Sequence, residues 1–189
     1  MGNAPETENE PRRRKDALEN RERLLTSAVE AFTRDANAPL DGIARAAGVG
    51  IGTLYRHFPT REALIEEAYR NELEKLTGAA PELLRDHDPD AAMREMMNRF
   101  IDYVGVKRGL ADALRAVVAG GGNPYNQSRA RLTESMELLL TAGQQSGVFR
   151  TDINAEDLMS MAGMFLNIGD DVAKARRMAA VLVDGLQAR

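Results

Sequence analysis

The segment LDGIARAAGVGIGTLYRHF, residues 40–58, decides the fold. Apolar residues recur at helical spacing as far as Ala47, and Gly48 then ends the helix, because glycine readily adopts the left-handed conformation found at helix C-termini. A second short helix follows from about Ile51 to Phe58. Two short helices joined by a turn that contains glycine predict a helix-turn-helix, whose second helix can enter the major groove of DNA.

The second helix separates its apolar from its polar side chains. At about 100° per residue, Ile51, Leu54 and Phe58 fall on one side, which can pack on a core. The opposite side carries Gly52, Thr53, Tyr55, Arg56 and His57. Hydroxyl, guanidinium and imidazole groups suit phosphate oxygens and base edges, and the lack of a side chain at Gly52 allows a close approach of the backbone to DNA.

Two other interpretations of this segment are weaker. A glycine-rich phosphate cradle over residues 48–53 would need a preceding apolar strand and a following Gly-Lys-Ser/Thr, and the sequence has neither. An ordinary helical hairpin inside a core is disfavoured by the polar face that includes Thr53, Arg56 and His57.

Over residues 21–69 the chain resembles the DNA-binding domain of the tetracycline-repressor (TetR-like) family. The residues that carry the resemblance are Ile43-Ala44, Ala47-Gly48-Val49, Gly52-Thr53-Leu54-Tyr55, His57-Phe58 and Arg61-Glu62-Ala63-Leu64. The family pattern usually has Ser at Gly50, Thr or Ser at Pro39, and Lys at Arg61. The resemblance implies a bacterial, dimeric, all-helical and ligand-responsive transcriptional regulator, most often a repressor.

Composition and periodicity indicate an all-α protein of about nine helices. The chain has 189 residues, 43% of them hydrophobic, and no convincing alternating strand. We expect a polar, disordered arm (1–16), a three-helix helix-turn-helix domain (17–59), a connecting helix (60–80) and a helical ligand-binding and dimerisation domain (81–189). The expected helices cover about 18–34, 60–77, 90 onward, 109 onward, 127–146, 155–168 and 171–186, with a boundary loop from Gly78 to Pro89.

The charge is unevenly distributed. The chain has a net charge of −4, but residues 12–61 carry +4, whereas residues 1–11 carry −3 and residues 62–189 carry −5. A basic module on an acidic body would approach DNA by the correct end. The run from Arg12 to Lys15 is either a solvated tail or an arm that touches DNA, and the sequence favours neither.

Several classes of function are disfavoured. The absence of cysteine excludes disulfides and thiolate chemistry, and the absence of a long apolar run argues against secretion and membrane spanning, so we expect a cytoplasmic protein. The residues Asp86-His87-Asp88 form either a solvated loop or, less favourably, a metal site. With two histidines and no nucleophile motif, we expect no enzyme activity, no metal and no cofactor.

The body of the chain is rich in methionine, which packs adaptably. For any single methionine, plain core packing is the better interpretation, but together with aromatic residues the set predicts a cavity for a small, largely apolar effector. The expected lining residues are Met93, Met97, Phe100, Tyr103, Leu114, Met136, Met164 and Phe165. Tyr103, Arg115, Tyr125 and Asn167 are the candidates for orienting polar groups on the ligand.

The last two helices are apolar on most faces, so most of their surface must be buried. A second copy of the chain related by twofold symmetry would bury it and would place two recognition helices about one DNA turn, ~34–36 Å, apart. The expected contact residues are Met159, Ala162, Gly163, Leu166, Met178, Val181, Leu182 and Leu186.

Together these features predict a homodimeric transcriptional regulator of a palindromic operator. We expect Thr53, Tyr55, His57 and Arg61 to contact phosphates. We expect Arg45, Gly52 and Arg56 to lie near base edges. The alternative functions are a ligand-binding or interaction module with a vestigial helix-turn-helix and, less favourably, an all-helical enzyme.

Overall fold

The computed structural model describes the backbone of residues 9–188 and the side chains of residues 15–188. Within this range the chain forms nine α-helices and one 3-10 helix, which confirms the predicted all-α class. The α-helices are α1 (Asn9–Arg34), α2 (Leu40–Ala46), α3 (Ile51–His57), α4 (Arg61–Asp86), α5 (Pro89–Gly109), α6 (Ala111–Ala119), α7 (Ser128–Gln145), α8 (Ala155–Ala162) and α9 (Val172–Asp184).

The helices group into two compact units. The first contains the described residues up to Tyr69 together with Gly109–Gly122, so that α6 clusters with α1, α2 and α3. Its core contains Leu24, Phe32, Leu54, Phe58 and Leu64, all almost completely buried. These residues come from α1, α3, α4 and the residue that directly follows α3, and their burial fixes the short helix α3 against the longer α1 and α4.

The second unit contains Arg70–Arg108 and residues from Asn123 onward. Its buried side chains are mainly methionine, leucine and phenylalanine, among them Met93, Met96, Phe100, Met136 and Phe149. The segment after α7 packs closely on that helix, since a Cβ atom at Gly143 would lie 1.9 Å from the Phe149 ring. The Phe149 ring can therefore pack in the core only because residue 143 is glycine.

Polar contacts in the second unit link α5 to the end of α9 and cap the start of α8. The Arg94 guanidinium in α5 donates to Asp90 at 2.7 Å and to Asp184, the last residue of α9, at 2.6 Å. The hydrogen bonds that Arg94 donates to these two carboxylates hold its pKa above the ordinary value. At the start of α8, Asn154 and Asp157 exchange the side-chain to backbone hydrogen bonds of a capping box, at 2.9 and 3.2 Å.

Three predicted boundaries were wrong. Helix α1 begins at Asn9, so residues 9–16 are helical rather than irregular; they are mostly good helix formers, and Pro11 lies in the first turn, where it is tolerated. The rest of the predicted arm, residues 1–8, lies outside the described residues.

The loop predicted from Gly78 to Pro89 is also wrong for most of its length, because α4 continues through Pro81 to Asp86. Ala79, Ala80 and Leu83 are buried and continue the apolar stripe, so packing outweighs the two helix-breaking residues. The helix predicted over 155–168 changes at Gly163 into a 3-10 helix, Gly163–Asn167. Glycine has a low helix propensity, which is consistent with a change at this point.

Candidate nucleic-acid interface

The turn between α2 and α3 has the geometry that the sequence predicts. Gly48 has a φ of +71°, the left-handed conformation that favours glycine, and the Val49 amide donates to the Ala44 carbonyl at 3.0 Å. Gly50 precedes α3 in an extended conformation and offers no side-chain cap. Below the turn, Ala44 and Leu54 are buried, so that both short helices present only one face to solvent.

The exposed face of α3 holds most of the predicted contact residues. Gly52, Tyr55 and Arg56 are exposed, and Thr53 and His57 are half-buried. No heavy atom beyond the chain neighbours and the helix's own backbone lies within 4 Å of the Cβ position of Gly52, so the surface there is open. The face therefore combines hydrogen-bonding groups, one guanidinium and a point of close approach, as DNA recognition requires.

Ile51 differs from the prediction. It was expected on the core side of α3, but 37% of it is exposed. It is the first residue of α3, and the core contacts of this helix begin only at Leu54. An exposed isoleucine at the start of this helix adds an apolar group of the kind that contacts thymine methyl groups. In the sequence, the position of Ile51 directly after Gly50, at the start of the helix, was the signal that could have predicted this exposure.

The cations of this unit differ in their surroundings. The Arg45 side chain on α2 is largely exposed and forms an ion pair with Asp41 one turn earlier. Arg61 instead donates to the carbonyl oxygens of Ala36 at 3.3 Å and Ala38 at 2.6 Å, and its guanidinium carbon lies 5.3 Å from the centre of the Phe32 ring. Arg61 thus holds the loop between α1 and α2, and its role as a phosphate contact stays a prediction.

The predicted effector residues are mostly core residues. Met93, Phe100, Tyr103, Met136 and Phe165 are buried in the second unit. Leu114 is buried too, but in the first unit, and Met164 is exposed. The structure therefore does not bring the whole predicted set together.

Two predicted residues border cavities: Met97, and the exposed Met164, which lines an open depression beside α9. Met97 lines a cavity of about 130 Å³ with Arg94 and Arg176. The polar candidates are scattered. Arg115 is exposed and pairs with Asp112, and the exposed Tyr125 ring lies 5.0 Å from the Lys107 ammonium group.

The predicted dimer residues divide into two groups. Met159, Ala162 and Leu186 are buried within the protomer, which leaves them unavailable to a partner. Gly163, Leu166, Met178, Val181 and Leu182 are exposed or half-buried. Three of these five line an open depression of about 400 Å³, whose lining residues are Met161, Met164, Lys174, Arg177, Met178, Val181 and Leu182. An apolar depression rimmed by two cations is the principal exposed apolar feature of α9.

Two further observations concern the described part of the chain. No helix there is long and apolar enough to cross a membrane. Asp86, His87 and Asp88 are all exposed, and no three potential ligands among the described His, Asp and Glu side chains are grouped to hold a metal ion.

Two family models match the chain. The model for bacterial regulatory proteins of the tetR family matches residues 24–68, which contain α2, the turn and α3. The model for the C-terminal domain of SbtR-like transcriptional regulators matches residues 88–188, more than half of the chain.

A curated relative, the HTH-type transcriptional regulator SAB2452 of Staphylococcus aureus (strain bovine RF122 / ET3-1), is 32% identical over 93 residues, which are 48% of this chain and 49% of the relative. The chain thus spans about half the length of the curated relatives it matches.

Solved structures match over nearly the whole chain. The TetR transcriptional regulator SCO0520 of Streptomyces coelicolor is 46% identical, with a TM-score of 0.83 over 89% of this chain and 98% of that one. A TetR transcription regulatory protein of Mycobacterium vanbaalenii is 30% identical, with a TM-score of 0.77 over 93% of this chain and 99% of that one. With the helix-turn-helix geometry described above, these matches show that the chain belongs to the TetR family of DNA-binding transcriptional regulators.

Proposed function

We propose that this protein is a repressor that binds a palindromic operator as a homodimer and is released by a small, largely apolar effector. The observation that carries the proposal is the exposed face of α3, where Tyr55 and Arg56 flank the open surface at Gly52. In this proposal residues 17–59 form the DNA-binding domain, residues 60–80 connect it to the body, and the protein acts in the cytoplasm.

The contacts with DNA follow from the position of each side chain. Arg56 and Arg45 are exposed cations that reach base edges or phosphates, while Tyr55 and the half-buried Thr53 and His57 donate to phosphate oxygens. Ile51 is added to this set because it is exposed at the start of α3. Specificity then comes from the few groups at the N-terminal half of α3 and from Arg56.

The dimer is supported by the depression beside α9. Val181 is 71% exposed, and with Met178 and Leu182 it forms an apolar surface that water would otherwise cover. Twofold symmetry would place this patch against its copy and present two α3 helices to successive major grooves. A palindromic operator is the DNA counterpart of that symmetry.

The effector proposal is supported by the methionine-rich core of the second unit. Met93, Met96 and Met136 are completely buried, and their unbranched side chains can repack around an apolar guest. An effector that binds preferentially to a conformation with the wrong spacing of the α3 helices weakens operator binding, and the operator weakens effector binding by the same factor.

The test is a binding-site selection with purified protein, followed by titration of the selected duplex over a range of salt concentrations. We expect a palindromic sequence, a steep salt dependence, and two protomers per duplex. The variant Arg56→Ala is expected to lose about 1–3 kcal/mol of operator affinity and to relax the preference at one base in each half-site. Selection of no preferred sequence, or binding that is independent of salt, would refute the proposal.

A further inference from the structure

The two helices of the helix-turn-helix cannot hold their own positions. Each has only seven residues, and neither has a side-chain hydrogen bond at its N-cap, since Pro39 precedes α2 and Gly50 precedes α3. Isolated helices of this length are unstable in water. The direction in which α3 points is therefore set by the contacts that other elements make with its ends.

One such contact is made by Arg21 of α1. Its guanidinium carbon lies 5.6 Å from the centre of the Phe58 ring, and Phe58 directly follows α3. The same guanidinium forms an ion pair with Glu67 of α4. The Arg21 side chain is 39% exposed and that of Glu67 is 25% exposed, so the pair is partly shielded from solvent. Arg21 thus joins three elements of the first unit: α1, the end of α3, and α4.

A second contact is made by Arg23, two residues further along α1. Its Nε donates to the carbonyl oxygen of Ala47 at 3.1 Å. Ala47 is the C-cap residue of α2, and a cation there also interacts favourably with the helix dipole. Arg23 therefore acts at the turn that precedes α3, and Arg21 acts at the residue that follows α3.

We propose that Arg21 is a positioning residue for operator binding: by linking Phe58 to Glu67 it fixes the direction of α3, and it does not contact DNA. The role rests on the proposed function, because it concerns how well α3 fits an operator. The ring of His57, one of the proposed DNA contacts, lies 6.0 Å from that of Phe58, so a displaced Phe58 also displaces a contact residue.

The alternative is that Arg21 is one more phosphate contact in a basic module. The two roles differ in their salt dependence. Each phosphate contact releases counterions, so removing one lowers the slope of log K against log[salt] by about 1. Removing a positioning residue lowers operator affinity while the number of Lys and Arg side chains at phosphates, and hence the slope, stays the same.

The experiment compares Arg21→Ala with Glu67→Ala on the selected operator and on a non-specific duplex. These variants change the charge in opposite directions, so simple attraction to DNA would make Arg21→Ala weaker and Glu67→Ala tighter. The positioning role instead lowers operator affinity in both, by about fivefold, the size expected of one partly exposed stacking and ion-pair contact. We expect an unchanged salt slope, and a double variant no weaker than the weaker single variant.

Controls separate positioning from folding and from charge. Arg34→Ala removes a cation from the same helix, where the exposed side chain donates a hydrogen bond to the carbonyl of Glu30 at 3.0 Å, and it should bind operator as the unaltered protein does. Arg21→Lys keeps the charge but loses the planar stacking on Phe58, so we expect it to lose less operator affinity than Arg21→Ala. It tests the positioning role even if Arg21→Ala folds poorly. Without DNA, hydrogen exchange of the amides of residues 51–58 should become faster in Arg21→Ala.

A fall in the salt slope of about 1 in Arg21→Ala, or unchanged or tighter operator binding by Glu67→Ala, would overturn the positioning role. Unchanged exchange over residues 51–58 would overturn it independently of any DNA measurement. If the unaltered protein bound the selected operator and the non-specific duplex equally well, the proposed function would be refuted instead. This outcome is distinct from a failure of the positioning role.

Discussion

The replacement Gly52→Ala should make the protein more stable and a worse DNA binder at the same time. Gly52 lies in the first turn of α3, and beyond the chain neighbours and the helix's own backbone the added methyl group meets no heavy atom within 4 Å. The change therefore costs no packing, and alanine is favoured over glycine in a helix by about 0.5–1 kcal/mol. For a chain of this size that gain raises Tm by about 1–4 °C.

The expected loss concerns only the complex with DNA. If the backbone at Gly52 approaches the operator closely, a methyl group there must displace DNA or tilt α3. Overpacking of a well-fitted contact costs about 1–3 kcal/mol, which corresponds to a loss of affinity of about tenfold to hundredfold. Fluorescence anisotropy with the selected operator at fixed salt measures the affinity, and calorimetry measures Tm.

Gly105→Ala is the matched control. Gly105 is exposed within α5, and a Cβ atom there is equally free of contacts within 4 Å beyond the chain neighbours and the helix backbone, so the same gain in stability is expected. It lies outside the helix-turn-helix, and operator affinity should not change. If Gly52→Ala bound operator as tightly as Gly105→Ala, the close approach at Gly52, and with it the proposed placement of α3 in the groove, would be wrong.

Three further predictions test other parts of the structure. Val181→Glu, which places a charge in the apolar depression beside α9, should give folded monomers by light scattering and lose operator binding, whereas Leu138→Glu on α7 should remain dimeric. Gly143→Ala should destabilise the protein by about 1–3 kcal/mol in denaturant unfolding, because the methyl group overlaps the Phe149 ring, and Phe149→Leu should recover part of the loss. The hydrogen bond from Arg129 holds the pKa of Glu156 below its ordinary value, so the stability from this pair is present above the unfolded pKa and lost as pH falls through the folded one. In Arg129→Ala, titration of Glu156 by NMR should show a higher pKa than in the unaltered protein. The same pKa in both proteins would contradict the pairing.

The helix-turn-helix was predictable because its signals are local. The position of Gly48, the apolar spacing of Ala44 and Leu54, and the polar face around Arg56 all lie within one short segment, and the structure places each of them as expected. The extent of α4 was not predictable in this way. Pro81 is a strong local signal for a helix end, but burial of Leu83 and its neighbours is a tertiary effect that a local pattern does not contain.

The effector and dimer residues were harder to predict from the sequence, for a related reason. A methionine or leucine at helical spacing has the same local pattern whether it packs within the protomer, lines a cavity or faces a partner. Met159 and Leu186 proved to be buried within the protomer, while Val181 is exposed. Only the direction of each helix relative to its neighbours separates these cases.

The same distinction applies to the charges of the DNA-binding unit. By sequence, residues 12–61 carry a net charge of +4, and each arginine there counts equally towards DNA binding. In the structure Arg23 and Arg61 donate to backbone carbonyls, Arg21 pairs with Glu67 and the exposed Arg45 pairs with Asp41, whereas Arg56 is exposed. A cation that keeps its protein partner in the complex releases no counterions from DNA. The salt slope of operator binding should therefore be smaller than the count of basic residues implies, and it should fall on removal of Arg56 but not of Arg21.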